Sequence, residues 1–289
     1  MTDPNQHMPD ETLVASSLQG DRKSIETLIR RYQDLVFNVS LKMTRNREDA
    51  ADMTQEVLIK AITKLDSFKF NSSFKTWLYK ITVNHILNER NTVEAKARLS
   101  FRQFGDTLDA APDAELSADE YYGADTPTLI EETKQTCMSG MLMCLDQKHR
   151  MVFILAELFG LNDLTGSELL EVSRENFRMM LSRAKKDLYH FMHDKCGLIN
   201  KANPCRCAKK SKAFIKAGFV NPGNLLFTNK YKMNIAEAAG ERQKEMEELL
   251  EGEYRKLFLQ HHYLEGPDLT LALREWLSSD KIRELFNLN

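Results

Sequence analysis

His193, Cys196, Cys205 and Cys207 stand in an H-x2-C-x8-C-x-C array, a stretch of this 289-residue sequence where soft metal ligands gather. A Cys3His set suits a tetrahedral structural zinc, although the closing C-x-C is tighter than the usual C-x-x-C. The same residues also read as reduced thiols in a basic loop, and nothing in the pattern makes a metal a required cofactor. Cys137 and Cys144 lie seven apart in a helical pattern and are expected to pack in a core. Five cysteines, an odd count, argue against a complete disulfide framework. A second concentration of chemistry is cationic: Arg174, Arg178, Arg183, Lys185 and Lys186 fall within one helical stretch, the residue types that bind phosphate and read base edges. No H-E-x-x-H, Gly-rich phosphate loop or Ser/His/Asp arrangement accompanies them. The chemistry is that of a binding protein, not an enzyme.

The elements that position these residues are helical. Leu28, Tyr32, Leu35, Val36, Val39 and Met43 recur at helical spacing over residues 25–44. A second helix is predicted from Asn46, a good N-cap, with Met53, Val57, Leu58, Ala61, Ile62 and Leu65 as its apolar stripe. After a polar loop, Phe68 to Ser73, a third runs from Phe74 to Asn91, with Trp77, Leu78, Ile81 and Ile86 inward. Asp146 can cap a helix ending at Gly160. Thr165 with Glu168 has the capping-box spacing for a short helix ending near Val172, and Ser173 can cap the long cationic one to His193. Two helices joined by a short turn, the second rich in Arg and Lys, outline a helix-turn-helix. No alternating strand pattern stands out, so the expected fold class is all-α. Amphipathic helices over roughly 234–260 and 269–287 close the chain.

Net charge is −2, but it is unevenly spread. Residues 136–230 carry 15 Lys and Arg against 8 Asp and Glu, while residues 231–289 carry 8 against 12. From Asp106 to Glu132 there are nine acids and no base. Local field, more than the total, decides affinity for a polyanion. The acidic run, with Pro112 and Pro127, reads as a flexible linker. No apolar run approaches a membrane span, and Met1 to Gly20 lacks a signal-peptide pattern, so a cytoplasmic chain is expected.

Three stretches carry a resemblance. DAADMTQEVLIKAITKLDSF (49–68) resembles region 2.2 of the extracytoplasmic-function sigma factors. SSFKTWLYKITVNHILNERN (72–91) resembles regions 2.3 and 2.4. The stretch from Cys144 to Leu188 resembles region 4. The resemblance implies a subunit that lends promoter recognition to RNA polymerase, with core polymerase (its β′ and β subunits) and promoter DNA as partners and no small-molecule substrate. It leaves room for an anti-sigma factor. It divides the chain into region 2 (12–93), an acidic linker (94–134), region 4 (135–194) and a C-terminal extension (195–289).

The same resemblance assigns roles. The helix over 49–65 docks on polymerase in the family, and Asp52, Gln55, Glu56 and Ile59 lie on its outward face. Acids there can pair with arginines of a partner. Phe70, Asn71, Ser72 and Ser73 are placed to line a pocket for one flipped base, and Lys75, Lys80, Asn84, His85, Asn88 and Arg90 to contact backbone or base edges of the −10 element. Asn84 ranks first. Trp77 is expected in the core. On the recognition helix Phe177, Leu181, Ala184 and Leu188 form a buried seam. Arg174, Asn176, Arg178 and Ser182 face the −35 major groove, with Arg183, Lys185 and Lys186 on phosphates. Two residues depart from the family pattern: Glu171 stands where the turn often has glycine, and Gly166 replaces an apolar residue. A stand-alone helix-turn-helix regulator is the other reading, but it has no use for a polymerase-docking block. The acidic tail helices are expected to fold back on the basic region 4 and mask it, so that deleting residues 231–289 raises promoter binding.

Overall fold

The computed structural model describes residues 7–88, 99–116, 124–228, 231–234 and 252–277. They form two compact units, residues 1–89 with 266–289 and residues 90–265. The architecture is helical, as the periodicity predicts. No helix among the described residues is long and apolar enough to cross a membrane.

The first unit holds α1 (Asp10–Leu18), α2 (Arg22–Thr44), α3 (Arg47–Thr63), a 3-10 turn (Leu65–Ser67) and α4 (Phe74–Asn88). Asp21 caps α2 by accepting from the Lys23 and Ser24 amides, and Arg45 closes it in the left-handed conformation. Asn46 caps α3 as its sequence position demands, its Oδ1 accepting from Glu48 and Asp49 at 2.8 and 3.2 Å. The stripes meet in one core: Leu28, Val36 and Val39 of α2, Val57, Leu58 and Ile62 of α3, Leu78, Val83 and Ile86 of α4. The chain returns to this unit at its far end with α12 (Thr270–Leu277).

In the second unit come α5 (Phe101–Ala110), α6 (Thr126–Met143), α7 (Gln147–Phe153) continuing into a π-turn (Ile154–Leu158), α8 (Asp163–Leu170), α9 (Arg174–Lys195), α10 (Cys207–Lys216), β1 (Tyr231–Asn234), α11 (Gly252–Leu259) and β2 (His262–Leu264). Val152 of α7 meets Phe177 and Met180 of α9 in the helix-turn-helix core. Asp146 and Ser173 cap α7 and α9 as expected.

Four expectations need correction. The acidic stretch is not a bare linker. Ser100 and Gln103 make a capping box for α5, whose Phe104 and Leu108 are buried, and Phe101 and Phe104 stack on Phe191 of α9 at 5.3 and 5.7 Å. Two of its acids pair with lysines of the second unit, Asp109 with Lys195 and Asp113 with Lys210. Second, α8 is capped by Asn162, which accepts from Thr165 N at 2.9 Å, so the Thr165 box does not form. Third, β1 and β2 pair antiparallel where only helix was expected, and of the predicted tail helices the structure describes α11 and α12. Fourth, the extension is not one piece. Its part up to Glu265 belongs with the second unit and the rest with the first.

The two departures in the helix-turn-helix explain each other's neighbourhood. Glu171 adopts φ 56°, the left-handed conformation that glycine would take in this turn. At Gly166 an added Cβ would sit 2.3 Å from the ring of Phe177. The aromatic ring of the recognition helix fills the volume that an apolar residue on α8 would otherwise occupy.

Candidate nucleic-acid interfaces

The first interface is a cleft of 390 Å³ between α3 and α4, lined by Lys60, Lys64, Trp77, Lys80, Ile81, Asn84, His85 and Asn88. Three lysines beside an indole and two carboxamides suit a nucleic-acid strand: cations for phosphate, a π-face for a base, amides for its edge. Asn84, Asn88 and Lys80 are exposed, as a contact role requires. His85 is not. Its ring is buried at 6 %, and its Nδ1 accepts from the Lys60 ammonium at 2.5 Å. On its other side His85 Nε2 lies 3.5 Å from Glu56 Oε2. His85 is therefore the floor of the cleft rather than a surface contact. Trp77, expected in the core, is half-buried and opens onto the cleft while its ring stacks against Phe68 and Phe74, each 5.5 Å away. Lys60, Lys64 and Trp77 are site residues that spacing alone missed. The signal was long-range, the packing of α3 on α4.

At the end of α4 the loop exposes Phe70, 49 % accessible, in a left-handed backbone conformation at φ 57°. A bulky residue pays strain there, and its ring rests 4.8 Å from Phe68, one edge of a four-ring cluster with Phe74 and Trp77. Asn71 and Ser72 are exposed beside it. Ser73 is spent on architecture: its Oγ accepts from Thr76 N at 3.1 Å and caps α4. Lys75 is half-buried, and burial lowers its pKa from the usual lysine range. Arg90 lies outside the described residues. On α3, Asp52, Gln55 and Glu56 are exposed and Ile59 half-buried, an acidic face with one apolar residue.

The second interface is the outer seam of α9. Arg174 and Arg178, 52 % and 63 % exposed, both reach Asp163 of α8: Arg174 Nη2 donates to Oδ1 at 3.0 Å and Arg178 Nε donates to Oδ2. The hydrogen bond from Arg174, then that from Arg178, hold the Asp163 carboxyl below the usual range. One carboxylate thus aligns two guanidinium groups one turn apart. Asn176 is half-buried, while Ser182, Arg183 and Lys186 are exposed. Lys185 is engaged from within, its Nζ 3.5 Å from Glu157 Oε1 and 5.9 Å from the Tyr189 ring centre.

The thiol array does not assemble as predicted. Among the described residues no three His, Cys, Asp or Glu side chains are grouped so as to hold a metal ion. His193 is exposed and its ring sits 3.4 Å from Asp194. Cys196 and Cys205 face each other across an isolated parallel bridge. Burial, followed by the neighbouring cysteines, pushes the Cys207 thiol up to about 12 and also raises Cys205.

The described part of the extension meets Glu157 and acids of α6 through donors, while most of the tail acids from which masking was expected lie outside the described residues. Arg255 Nε lies 3.1 Å from Glu157 Oε2 with both side chains buried, and His262 Nε2 lies 3.4 Å from Glu131. The buried Glu132 carboxylate accepts from the amides of Leu226, Phe227 and Thr228. Among the described residues the extension supplies donors to acids of α6 and the π-turn, and Arg174 and Arg178 stay exposed.

Comparison with known proteins bears on the first interface. The family model of sigma-70 region 2 matches residues 28–93. The ECF RNA polymerase sigma-E factor of Escherichia coli K12 is 28% identical over 183 residues, 63% of this chain and 93% of that protein. The sigma-E factor of Haemophilus influenzae is 39% identical over 83 residues, 29% of this chain and 43% of its own length. Among solved structures, CnrH in complex with the cytosolic domain of CnrY aligns over 64% of this chain and 97% of that one, at 17% identity and a TM-score of 0.42.

Proposed function

We propose that this chain is an extracytoplasmic-function sigma factor, and that its residues divide the work of promoter-specific initiation as follows. Region 2 spans residues 12–93 and region 4 spans 135–194. On α3, Asp52, Gln55, Glu56 and Ile59 dock on core polymerase. The seam of α9 anchors in the −35 major groove, Arg174 and Arg178 on base edges with Asn176 beside them, and Arg183 and Lys186 on phosphates. The α3–α4 cleft takes the strand of the −10 element, with Asn84 and Asn88 on base edges and Lys60, Lys64 and Lys80 along the backbone. Phe70 and Trp77 offer π-faces to bases that leave the stack. The chain performs no bond chemistry of its own; polymerase does, in the cytoplasm where the two meet.

The observation that carries the assignment is the coincidence of the region 2 match with a helical unit that has an acidic outer face on α3 and a cationic, aromatic cleft on α4. Run-off transcription on genomic fragments tests it. Discrete new start sites that require both core polymerase and this chain are expected. Specific DNA binding by the free protein, with no new start sites, returns the function to a stand-alone regulator.

A further inference from the structure

Gly266–Leu277 returns to the first unit and lies along α2. The Gly266 amide donates to Asp34 Oδ1 at 3.0 Å, the Leu269 amide to Gln33 Oε1 at 3.2 Å, and the Arg274 guanidinium to both oxygens of Glu26 at 2.7 and 2.6 Å. Leu269, Thr270 and Leu273 are buried. The receiving residues Glu26, Gln33, Asp34 and Phe37 fall on one face of α2 at helical spacing, and the segment runs antiparallel to them. The contact at Gly266 is close: a Cβ would come within 3.1 Å of Phe37 Cβ, so a side chain there requires Phe37 to shift. An eight-residue helix such as α12 has little stability alone, so α2 holds it in shape. The anchors are few and one, Arg274, is half-exposed, which makes the segment releasable.

The dock has a neighbour of interest. The guanidinium of Arg47, the first residue of α3, lies 5.2 Å from the centre of the Phe37 ring. Release of the segment would bare that ring, wholly buried at present, beside the first turn of the helix assigned to polymerase docking.

We propose that the α2 face from Glu26 to Phe37 is a docking surface for a Gly-x-x-Leu-x-x-x-Leu-Arg peptide, that residues 266–277 of the same chain occupy it as a releasable strap, and that strap occupancy restrains the meeting of α3 with core polymerase. The last clause rests on the sigma-factor assignment; the dock itself does not. The test uses the full-length chain with Gly266→Val, Arg274→Glu, Glu26→Arg and the double exchange Glu26→Arg/Arg274→Glu. Hydrogen exchange over 266–277 reads the dock, and affinity for core polymerase reads its consequence. The single variants should lose about tenfold of local protection, an opening confined to one cooperative segment, while residues 147–195 keep theirs. They should bind core polymerase several-fold tighter, a shift of roughly 1 kcal/mol, and the double exchange should restore both readings. Unchanged protection in all variants overturns the dock. Lost protection with unchanged or weaker polymerase affinity overturns the restraint. If neither the parent chain nor any variant binds core polymerase, the sigma-factor reading falls and takes the restraint with it, while the exchange data still judge the dock.

Discussion

The two helices assigned to DNA are prepared in different ways. The α9 seam is pre-set by one carboxylate: Asp163 aligns Arg174 and Arg178 before any base arrives. The α4 side is a cavity, with Lys60 and Glu56 both engaging the buried His85 and Trp77 on a wall, and Phe70 stands exposed in the loop before α4. Duplex DNA offers a rigid groove of fixed hydrogen-bonding pattern, which rewards rigid donors. An opened strand offers movable faces, which rewards a pocket with aromatic walls. On the proposed assignment, the difference predicts that affinity for closed DNA and capacity to open it are separable in this chain.

The largest effect should come from Arg178→Ala. Loss of a base-edge arginine costs about 1–3 kcal/mol, so promoter duplex binding in a gel-shift titration should fall about tenfold to a hundredfold, with relaxed preference at one base position. Equal loss on all sequences would reassign Arg178 to phosphate. Phe70→Ala should leave that duplex titration unchanged and lower open-complex yield by about 1–3 kcal/mol per stacked base, read by permanganate footprinting. A duplex defect in this variant would erase the contrast between the helices. Lys186→Ala should lower affinity on every sequence alike and reduce the slope of log K against log salt by about 1. Asp163→Asn should have the smallest effect, a modest loss of preference for the promoter duplex over non-specific DNA as the two guanidinium groups lose the carboxylate that aligns them. The pH dependence has a definite sign. Arg174 and Arg178 lower the folded-state pKa of Asp163, so the pairing contributes stability above the ordinary carboxylate value of about 3.9. That contribution is lost only as pH falls through the lower folded value. Duplex binding by the parent chain should thus show no step from this group at the ordinary carboxylate value of about 3.9; a step centred there would mean the arginine fork is not formed in solution.

What the sequence displayed was local. Asn46, Asp146 and Ser173 cap the helices they were read to cap, because a cap satisfies amides two or three residues away. The apolar stripes of α2 and α3 were legible for the same reason. What escaped was set at a distance or by competition between neighbours. Asn162 won the start of α8 from Thr165. The helix at Phe101 was hidden by the charge around it, though Ser100 with Gln103, and Phe101, Phe104 and Leu108 at helical spacing, carried a signal. Lys60, Lys64 and Trp77 join the cleft only when α3 packs on α4. The thiol array is close in sequence, yet His193 stands with Asp194 instead. The docking of Arg255 on Glu157 and of Arg274 on Glu26 spans most of the chain and left no mark in composition.

Gly166 and Phe177 sit on different helices but share one volume. A recognition helix transplanted from a relative, bringing a smaller residue at 177, would leave a hole over Gly166; a larger residue placed at 166 would evict the ring. On the proposed assignment of α9 to the −35 element, promoter preference would be tied to this pair of positions. Any attempt to rewrite its specificity by exchanging α9 alone would first be read as a folding defect, and only a graft that carries α8 with it would report on the DNA.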